Sequence, residues 1–339
     1  MQAVVRKDRK GNEIELVTMD LPKPKAGQVL VKVHASPINP SDFGFMKGAF
    51  GNEALQPKPP VVIGFEGSGH VVSVGEGVPS GLIDKPVCFF GNCHSPDFIG
   101  SWANFTIKPV GELEVVSEKV DLDTASMVQV NPRTVMGFWH MISTEGHKAV
   151  IQSAAASAVG KMLIKLCMAK NVESINIVRG KENVDTLYGI GAKYVLDSQS
   201  ADFAKSLEAL IAKVNPTIFF DAVGGALAGT VFTAMPATSQ MQLYGSLEMP
   251  EIIGIKGTDI RFKDKTIKGY QMTRLFAGLA PELRKSYLDF IWKDLEEGGK
   301  IFKTNVAAKY ELKDWKEALQ AYPKMASKGK ILLVPKINP

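Results

Sequence analysis

Apolar and polar positions change their spacing part-way along the chain. Up to about residue 125, short runs rich in Val, Ile and Phe are separated by Gly- and Pro-rich stretches, a pattern that predicts strands joined by turns. The clearest runs are QVLVKVHA, HVVSVG, KPVCFF and ANFTIK. Because the runs are irregular in length, they favour a small β-barrel over an immunoglobulin-like sandwich.

Beyond that point, apolar runs alternate with helical patterns. Three strand–helix pairs follow one another: KAVIQSA and SAVGKMLIKLCMAK, SINIVR and ENVDTLYGIG, then KYVLDS and DFAKSLEALIAKV. Three further strands are predicted at TIFFDAVG, MQLYGSL and KTIKGY. Near-continuous apolar strands between helices indicate a parallel sheet that is covered on both faces. We therefore predict an α/β protein in which a β-barrel domain accompanies a doubly wound parallel-sheet domain.

The last part of the chain mixes both patterns. A long helix is predicted at PELRKSYLDFIWKDLEEGGK, ending at Gly298 and Gly299. The pattern of the tail after it predicts a strand, a helix and a final apolar strand. Such a tail can fold back onto the first domain. The predicted boundaries are 1–125 for the barrel domain, 126–270 for the parallel-sheet domain and 271–339 for a segment that returns to the barrel.

Composition narrows the classes of function. The 339 residues carry a net charge of only +5, and their Lys and Arg residues are scattered, so we predict no nucleic-acid-binding surface. No apolar run is long enough to cross a membrane, and the N-terminus lacks the apolar core of a secretory signal. We expect a cytoplasmic protein, or a mitochondrial one from which a presequence has been removed.

The three cysteines, Cys88, Cys93 and Cys167, fit a reducing compartment. Cys88 and Cys93 lie close to His94 in the sequence, which raises the question of a metal site. The chain offers neither a second Cys pair nor a spaced His pair. We therefore predict ordinary thiols and no bound metal.

The segment IQSAAASAVGKML predicts a turn from a strand into a helix, a place where dinucleotides are often held. Of the usual glycines only Gly160 remains, and it would let the helix pack close to the strand. Ala154 and Ser157 are small enough for a close approach to phosphate, provided that their φ angles are negative. Backbone N–H groups and the helix dipole would then meet the phosphate, with Ser157 as a further donor. The alternative is a helix start that merely contains small residues.

Arg179 follows the next predicted strand, 19 residues after Gly160. Domains that bind NAD have an acidic residue at about this distance, because a carboxylate accepts hydrogen bonds from the ribose hydroxyls. An arginine instead matches a 2′-phosphate through two charge-assisted hydrogen bonds, and Lys181 adds a second cation. The loop and Arg179 together predict NADPH as the cofactor. The alternative is that Arg179 is a solvated charge at a strand end.

These residues belong to a longer series of motifs, INPSD, PPVVIGFEGSGHVVSVGEGV, QVNPRT, AAASAVG and FFDAVGG. In this order they resemble the landmarks of the medium-chain dehydrogenase/reductase superfamily, over essentially the whole chain. Its zinc-free quinone reductases and trans-2-enoyl thioester reductases are the most similar, and INPSDFGFMKGAFG, VNPRT and SINIVRGK look most like the latter. The resemblance implies a GroES-like barrel, a Rossmann domain, NADPH meeting the substrate in a cleft, and a homodimer joined through the Rossmann sheets.

The resemblance also implies a set of cofactor contacts. They fall near the nicotinamide ribose and phosphates (Asn131, Thr134), along the pyrophosphate (Ala156, Ser157, Ala158, Val159, Gly160), at the 2′-phosphate (Arg179, Lys181), beside the nicotinamide (Tyr244, Gly245, Ser246, Leu247) and in two later segments (Tyr270, Gln271, Met272; Lys330). Two blander alternatives stay open: Asn131 as the cap of a turn, and Tyr270 as ordinary core.

Zinc-dependent members of this superfamily use a Cys two residues before a Ser/Thr-Asp pair, and the His of a Gly-His-Glu segment. The matching positions here hold Asn39 and Phe65, and neither is a plausible zinc ligand. The four-Cys lobe that holds a structural zinc is missing from the sequence as well. The resemblance therefore implies a metal-free reductase and argues against alcohol oxidation through a zinc alkoxide.

One position departs from the pattern of the enoyl thioester reductases. Their proton donor to Cα is a Tyr, whereas the matching residue here is Phe50, which has no hydroxyl. Water, or the hydroxyl of Tyr270 or Ser246, would have to supply the proton. Quinones need less help, since the developing hydroquinone anion is itself stable.

The sequence thus predicts a zinc-free, NADPH-dependent reductase. Its substrate would be an activated C=C bond, in an enoyl thioester or an enone, or a quinone, and the reaction would be direct hydride transfer. Two alternatives remain. One is an NADPH-binding pseudo-enzyme with a structural or regulatory role, which the loss of the Tyr hydroxyl at Phe50 favours. The other is a different activity on the same fold.

Overall fold

The chain is described at residues 1–11, 13–48, 57–91, 93 and 98–336 of a computed structural model. It divides into two units, Met1–Val130 with Lys303–Pro339, and Asn131–Phe302. The division differs from the predicted one at both ends. The first unit runs to Val130 and not to residue 125, and residues 271–302 lie in the second unit and not in the returning segment.

Short strands dominate residues 1–130: β1 (Gln2–Arg6), β2 (Ile14–Thr18), β3 (Gln28–Pro37), β4 (Val61–Val62), β5 (Glu66–Val74), β6 (Pro86–Phe90), β7 (Phe105–Pro109) and β8 (Leu113–Val115). In the described part of this region, two short α-helices accompany them, α1 (Pro40–Met46) and α2 (Leu122–Ala125). The four predicted runs fall in β3, β5, β6 and β7, so their assignment as strands is confirmed.

Strands and helices alternate in the second unit. Its strands are β9 (Ala149–Gln152), β10 (Glu173–Val178), β11 (Tyr194–Asp197), β12 (Ile218–Asp221), β13 (Gln240–Leu243) and β14 (Thr266–Gly269). Its helices are α3 (Asn131–Thr144), α4 (Ala158–Ala169), α5 (Lys181–Gly189), α6 (Phe203–Val214), α7 (Gly225–Ala234), α8 (Gly257–Lys263), α9 (Met272–Gly278) and α10 (Pro281–Glu296). The tail then forms β15 (Val306–Glu311), α11 (Trp315–Met325) and β16 (Lys330–Val334).

The described residues of the first unit form two sheets. A three-stranded sheet has the order β2-β1-β4, and a seven-stranded sheet has the order β15-β16-β3-β5-β6-β8, in which β3 also pairs with β7. Strand β16 runs antiparallel to β3, with Leu333 opposite Ser36. Leu333 and Trp315 of α11 share a buried cluster with Phe45 of α1. The described tail residues 303–336 therefore belong to the first unit.

The second unit contains one six-stranded parallel sheet with the order β11-β10-β9-β12-β13-β14. The direction of winding reverses between β9 and β12, where Ile151 lies beside Phe219. Both residues are fully buried, together with Ile175 and Ile177 of β10, because helices cover both faces of the sheet. This is the strand order of a Rossmann domain, and ligands bind to such sheets at the carboxyl ends of the strands where the winding reverses.

Residues 271–302 belong to the second unit because their helices pack against a helix of that unit. Helices α9 and α10 both pack against α3. His140 of α3 and Tyr287 of α10 are hydrogen-bonded, with 3.0 Å between Nδ1 and the hydroxyl. The sequence predicts helix α10 correctly but carries no local signal of which unit it covers. Within the described ranges, no helix combines the length and the apolar character that a bilayer span needs.

Candidate cofactor and active site

The loop between β9 and α4 lies at the point where the sheet reverses its winding. Ser157 ends the loop with φ −68° and caps α4, its Oγ accepting a hydrogen bond from Gly160 N–H at 3.1 Å. Ala154 has φ +48°, in the left-handed region. The expectation of a negative φ thus holds for Ser157 and is wrong for Ala154. The chain turns sharply here, and an alanine accepts a conformation that costs it roughly 1–2 kcal/mol.

Gly160 is required by packing. A Cβ atom on this residue would lie 2.4 Å from the carbonyl oxygen of Ala155 and 2.6 Å from its Cα. The first turn of α4 therefore rests directly on the loop, as the sequence predicts for this glycine. Gln152, at the end of β9, fixes the same turn from below by donating to the Gly160 carbonyl at 3.0 Å. The amide N–H groups of the first turn and the positive end of the helix dipole are an arrangement that binds phosphate.

Arg179 and Lys181 flank the start of α5 at the end of β10. Between them Gly180 has φ +89° and donates its N–H to Asp197 Oδ1 at 2.8 Å. The Asp197 carboxylate also accepts from Gln199 N–H at 3.0 Å, so it is engaged with the backbone. Arg179 and Lys181 are exposed, and neither is paired with an acidic side chain among the described residues. Two cations on one turn fit a phosphate group.

Asp221, at the end of β12, joins the loop to the later strands. Its Oδ1 accepts from Ser153 Oγ at 2.6 Å and its Oδ2 from Gly224 N–H at 2.8 Å, while Ser153 Oγ accepts from Ala222 N–H at 2.9 Å. Burial raises the pKa of Asp221, and these hydrogen bonds oppose the rise. The sequence places Asp221 in a landmark motif without assigning it a role. An acidic residue between an apolar strand and two glycines is the signal that could have identified it.

The segment Tyr244–Leu247 follows β13 and is held by main-chain bonds to the same place. Tyr244 N–H donates to Asp221 O, and Leu247 N–H donates to Ala222 O, both at 2.9 Å. The ring of Tyr244 packs edge-on against Phe138, with 5.0 Å between centroids, and burial and the Asp221 charge raise the pKa of its hydroxyl. Gly245, Ser246 and Leu247 are exposed. The structure thus brings this predicted segment to the end of β12, close to Ser153.

The predicted contacts on α3 are buried at the beginning of that helix. Asn131 is its first residue and is 5% exposed, and its Nδ2 has no hydrogen-bond partner in the described part of the chain. Thr134 is buried one turn further on. A buried amide with a free donor is costly unless a ligand or water completes it. Asn131 therefore fits a polar group of a cofactor better than it fits a turn cap.

Tyr270 is one of the proton donors that the sequence offers, and its hydroxyl already makes a hydrogen bond within the protein. The residue is buried, and the hydroxyl donates to the carbonyl oxygen of Thr134 at 3.1 Å. Its ring packs edge-on against Phe138 at 4.8 Å, and a Cβ on Gly137 would lie 2.1 Å from the hydroxyl oxygen. Burial raises its pKa. The geometry gives Tyr270 a packing role, in agreement with the alternative that Tyr270 is an ordinary core residue. Gln271 and Met272 follow it, and only Met272 is partly buried.

Lys330 lies in the first unit, at the beginning of β16. It is 5% exposed, and its ammonium group is hydrogen-bonded to the side-chain oxygen of Asn39, with the Ile38 carbonyl 3.5 Å away. Asn39 Nδ2 donates in turn to Glu66 Oε1 at 2.8 Å. The sequence predicts Lys330 as a cofactor contact, whereas its ammonium is occupied inside the barrel. Phe50 and His94 lie outside the described residues.

Comparisons with known proteins agree with this arrangement. Two family descriptions match the chain, the alcohol dehydrogenase GroES-like domain at residues 25–130 and the zinc-binding dehydrogenase at 158–293. A mitochondrial enoyl-[acyl-carrier-protein] reductase of Caenorhabditis elegans is 30% identical over 248 residues, which are 69% of this chain and 67% of that protein. The chain belongs to the medium-chain dehydrogenase/reductase superfamily, in its zinc-free branch.

Solved structures of this superfamily are similar over the whole chain. A putative NADPH:quinone reductase from Mesorhizobium loti superposes with a TM-score of 0.89 at 27% identity, covering 99% of this chain and 98% of that one. The Escherichia coli quinone oxidoreductase complexed with NADPH has a TM-score of 0.84 and covers 99% and 100% of the two chains; at 17% identity it shows the fold alone. The chain is therefore an oxidoreductase of this superfamily, similar to enoyl reductases and quinone oxidoreductases.

The residues of this chain do not fit the zinc ion that one family description names. Asn39 uses both ends of its amide within the barrel, and the Phe65 ring packs against Phe45 and Phe90, with 5.4 and 6.2 Å between centroids. Across the described ranges, no three His, Cys, Asp or Glu side chains are grouped so that they could hold a metal ion. Burial raises the pKa of the Cys93 thiol to about 11, which disfavours the thiolate that zinc requires.

Proposed function

We propose that this oxidoreductase is a zinc-free, NADPH-dependent reductase of quinones or activated C=C bonds. The observation that carries the proposal is the exposed pair Arg179 and Lys181, one strand away from the loop that ends at Ser157. NADPH differs from NADH by a single phosphate. A guanidinium and an ammonium placed one residue either side of a helix cap match that phosphate, whereas a carboxylate would repel it.

Different residues would contact different parts of the dinucleotide. NADPH supplies a hydride to the substrate, and the protein supplies orientation and electrostatics. The first turn of α4 would hold the pyrophosphate through Ala156, Ser157, Ala158, Val159 and Gly160. The unpaired side-chain amide of Asn131 would donate a hydrogen bond to a polar group of the cofactor. The exposed segment Gly245–Leu247 would lie beside the nicotinamide. Gln271 and Met272 remain predicted contacts at the start of α9.

Quinones are the substrate class that we favour. Reduction of an enoyl thioester needs a proton at Cα after the hydride has reached Cβ, and a positioned acid typically contributes roughly 10²–10⁴ in rate. Phe50 cannot supply it, and the Tyr270 hydroxyl donates to Thr134 O. A quinone that accepts a hydride becomes a hydroquinone anion, which is stable enough to take its proton from water.

The test is NADPH oxidation by the purified protein, followed by the absorbance of the cofactor, with a benzoquinone and a trans-2-enoyl-CoA measured side by side. We expect turnover of the quinone and slow turnover of the thioester. Phe50→Tyr should raise the thioester rate by roughly 10²-fold, and Phe50→Leu, the matched control, should not. Fast thioester reduction by the wild type would mean that another group donates the proton and that the preference for quinones is wrong.

A pseudo-enzyme is the second candidate, and one observation favours it. Phe50 has no hydroxyl where the enoyl thioester reductases place their proton donor, and the hydroxyl of Tyr270, one of the predicted substitutes, donates to Thr134 O. Binding of NADPH, measured by calorimetry, without oxidation in the presence of any quinone or enone would make this the better description.

We further propose that the protein is a homodimer joined through its Rossmann sheets. Strand β14 is the last strand of its sheet and pairs only with β13 in the described part of the chain. Exposed apolar side chains lie just before it: Ile253 is 51% exposed, Ile260 43% and Phe262 72%. Light scattering should give twice the chain mass, and Phe262→Glu should give the monomer. A monomeric wild type would contradict the proposal.

We propose a reducing compartment, the cytoplasm or the mitochondrial matrix, because the buried residues Cys93 and Cys167 form no disulfide. The mitochondrial reductase of Caenorhabditis elegans supports the second location. Cell fractionation with an antibody against the native protein distinguishes the two.

A further inference from the structure

The turn that carries Arg179 and Lys181 contains a glycine, and packing does not fix the shape of that glycine. Gly180 precedes α5 with φ +89° and ψ 144° and gives the helix no side-chain cap. Among the described residues, a Cβ on Gly180 would meet nothing closer than the Gln199 side chain, at 4.0 Å. Glycine adopts positive and negative φ about equally readily. The direction in which Arg179 and Lys181 project is therefore left to the hydrogen bonds of the turn.

The peptide bond between Arg179 and Gly180 is held at both of its polar groups. The Arg179 carbonyl oxygen accepts from Asn183 Nδ2 at 2.8 Å, and Gly180 N–H donates to Asp197 Oδ1 at 2.8 Å. Asn183 N–H donates in addition to the Gly180 carbonyl oxygen at 3.1 Å. A peptide plane that is bonded through its oxygen and its N–H cannot rotate without breaking a hydrogen bond. Asn183 and Asp197 thus select one conformation of a turn that a glycine leaves open.

Asp197 reaches this turn from a neighbouring strand. It ends β11 opposite Val178, the last residue of β10, and it lies 17 positions after Gly180 in the sequence. The Asp197 carboxylate is itself oriented, because Oδ1 also accepts from Gln199 N–H at 3.0 Å, and Ser198 N–H donates to Val178 O at 2.9 Å. Hydrogen bonds from N–H groups to a carboxylate are stronger than those between neutral groups. The sheet therefore supplies a firm anchor for the turn.

Electrostatics alone disfavours an acidic residue at this place. A carboxylate repels the phosphate that we propose for Arg179 and Lys181, so its presence calls for another task. We propose that Asp197 is a positioning residue for the 2′-phosphate of NADPH. It holds Gly180 so that Arg179 and Lys181 project toward one phosphate, and Asn183 holds the other side of the same peptide bond. This inference rests on the proposed function, in which that phosphate distinguishes NADPH from NADH.

The test compares two substitutions of Asp197 by titration calorimetry with NADPH and NADH. Asp197→Ala should weaken NADPH binding about tenfold and leave NADH binding within about twofold, because NADPH alone carries the phosphate. Asp197→Asn keeps an oxygen that can accept from Gly180 N–H and removes the negative charge. It should bind NADPH at least as tightly as the wild type does. Asp185→Ala, the matched control, removes an exposed carboxylate of α5 and should change each affinity by less than about twofold.

The pattern across these variants distinguishes positioning from a general structural role. Equal weakening of NADPH and NADH in Asp197→Ala would overturn the proposal, and so would an Asp197→Asn variant that is as impaired as Asp197→Ala. If Asp197→Ala does not fold, Asn183→Ala releases the other end of the same peptide bond. We expect that variant to bind NADPH about threefold more weakly with NADH unchanged. An equal change for both cofactors would overturn the proposal in this case too.

A double variant tests whether Asp197 acts through Arg179. In the background of Arg179→Ala, Asp197→Ala should weaken NADPH binding further by no more than about twofold. Two losses that simply multiply would overturn the proposal, since Asp197 would then act independently of the arginine.

The wild type separates this proposal from the proposed cofactor. A wild type that does not prefer NADPH to NADH would overturn the assignment of the phosphate to Arg179, and the role of Asp197 with it. A wild type that prefers NADPH, together with an undiminished preference in Asp197→Ala, would overturn the positioning role alone.

Discussion

Two sets of polar residues in this protein are built in opposite ways. One is the Lys330 corner of the first unit (Asn39, Asp42, Glu66 and Lys330), which we call the closed cluster; the other is Asn131, Ser153, Arg179 and Asp221 of the second unit, which we call the open cluster. At the Lys330 corner, the amide of Asn39 is used at both ends, and both oxygens of Glu66 accept hydrogen bonds. In the second unit, Asn131 keeps a free buried donor, and Arg179 is exposed without an acidic partner among the described residues. The closed cluster stabilises strands that are distant in sequence. The open one has a buried amide donor and exposed cations that are not paired with an acidic side chain of the described residues.

Both clusters depend on buried carboxylates, and the partners of these carboxylates differ. Glu66 faces a cation through Asn39. Asp221 accepts from neutral donors, the Ser153 hydroxyl and the N–H groups of Val223 and Gly224. A carboxylate held by dipoles adds negative charge beside a site that we propose for a polyanion, so its hydroxyl and amide partners are needed to offset that charge. Four predictions sharpen the contrast between the closed and the open cluster.

The largest effect is expected at the packing beneath the open cluster. Gly160→Val should destabilise the protein by about 3 kcal/mol or more, because even its Cβ would lie 2.4 Å from Ala155 O and the backbone of the loop would have to move. Gly189→Val is the matched control, since it lies in a helix where an added Cβ meets nothing within 4 Å. Chemical denaturation measures both. Equal losses would show that α4 does not rest on the loop.

The closed cluster should give the protein a pH-dependent stability. Burial raises the pKa of Asp42 from 3.8 to about 7, so the folded protein retains a proton that the unfolded chain releases. The free energy of unfolding should therefore fall as pH rises from about 4 to about 7, by on the order of 3 kcal/mol. Denaturant midpoints across this range measure it. Asp42→Asn should flatten the fall, whereas Asp185→Asn, an exposed control on α5, should not. An unchanged slope in Asp42→Asn would contradict the prediction.

Arg179 provides the direct test of the open cluster. Arg179→Ala should weaken NADPH binding roughly 10- to 100-fold and leave NADH binding within about twofold, because only NADPH carries the phosphate that the guanidinium would hold. Lys193→Ala, which removes an exposed lysine paired with Glu173 elsewhere in this unit, should change neither affinity. Titration calorimetry measures the affinities of the wild type and both variants for NADPH and for NADH. Equal weakening for the two cofactors would place Arg179 away from the 2′-phosphate.

The sequence predicts the elements of both units better than it predicts the clusters. The strands β9 to β14 are evident from continuous apolar runs, and Gly160 is identified because its role is local to one turn. The Lys330 corner is not predictable in this way, since Asn39, Glu66 and Lys330 become neighbours only through strand order. The assignment of α10 to the second unit has the same origin. An amphipathic helix shows which of its faces is apolar but not which unit that face covers.

The smallest effect is expected at Ala154, and it separates local strain from the needs of the site. With φ +48°, alanine is strained by roughly 1–2 kcal/mol, whereas glycine is not, though glycine costs roughly 0.5–1 kcal/mol in the unfolded chain. Ala154→Gly should therefore stabilise the protein by up to about 1 kcal/mol, and Ala169→Gly, at the exposed end of α4, should destabilise it by about as much. Thermal unfolding measures both, with NADPH binding recorded alongside. A stabilised variant with unchanged affinity would show that the strain is not needed to shape the phosphate loop. A stabilised variant with weaker affinity for NADPH would mean that Ala154, which restricts the backbone more than glycine does, keeps the loop in the conformation that binds phosphate.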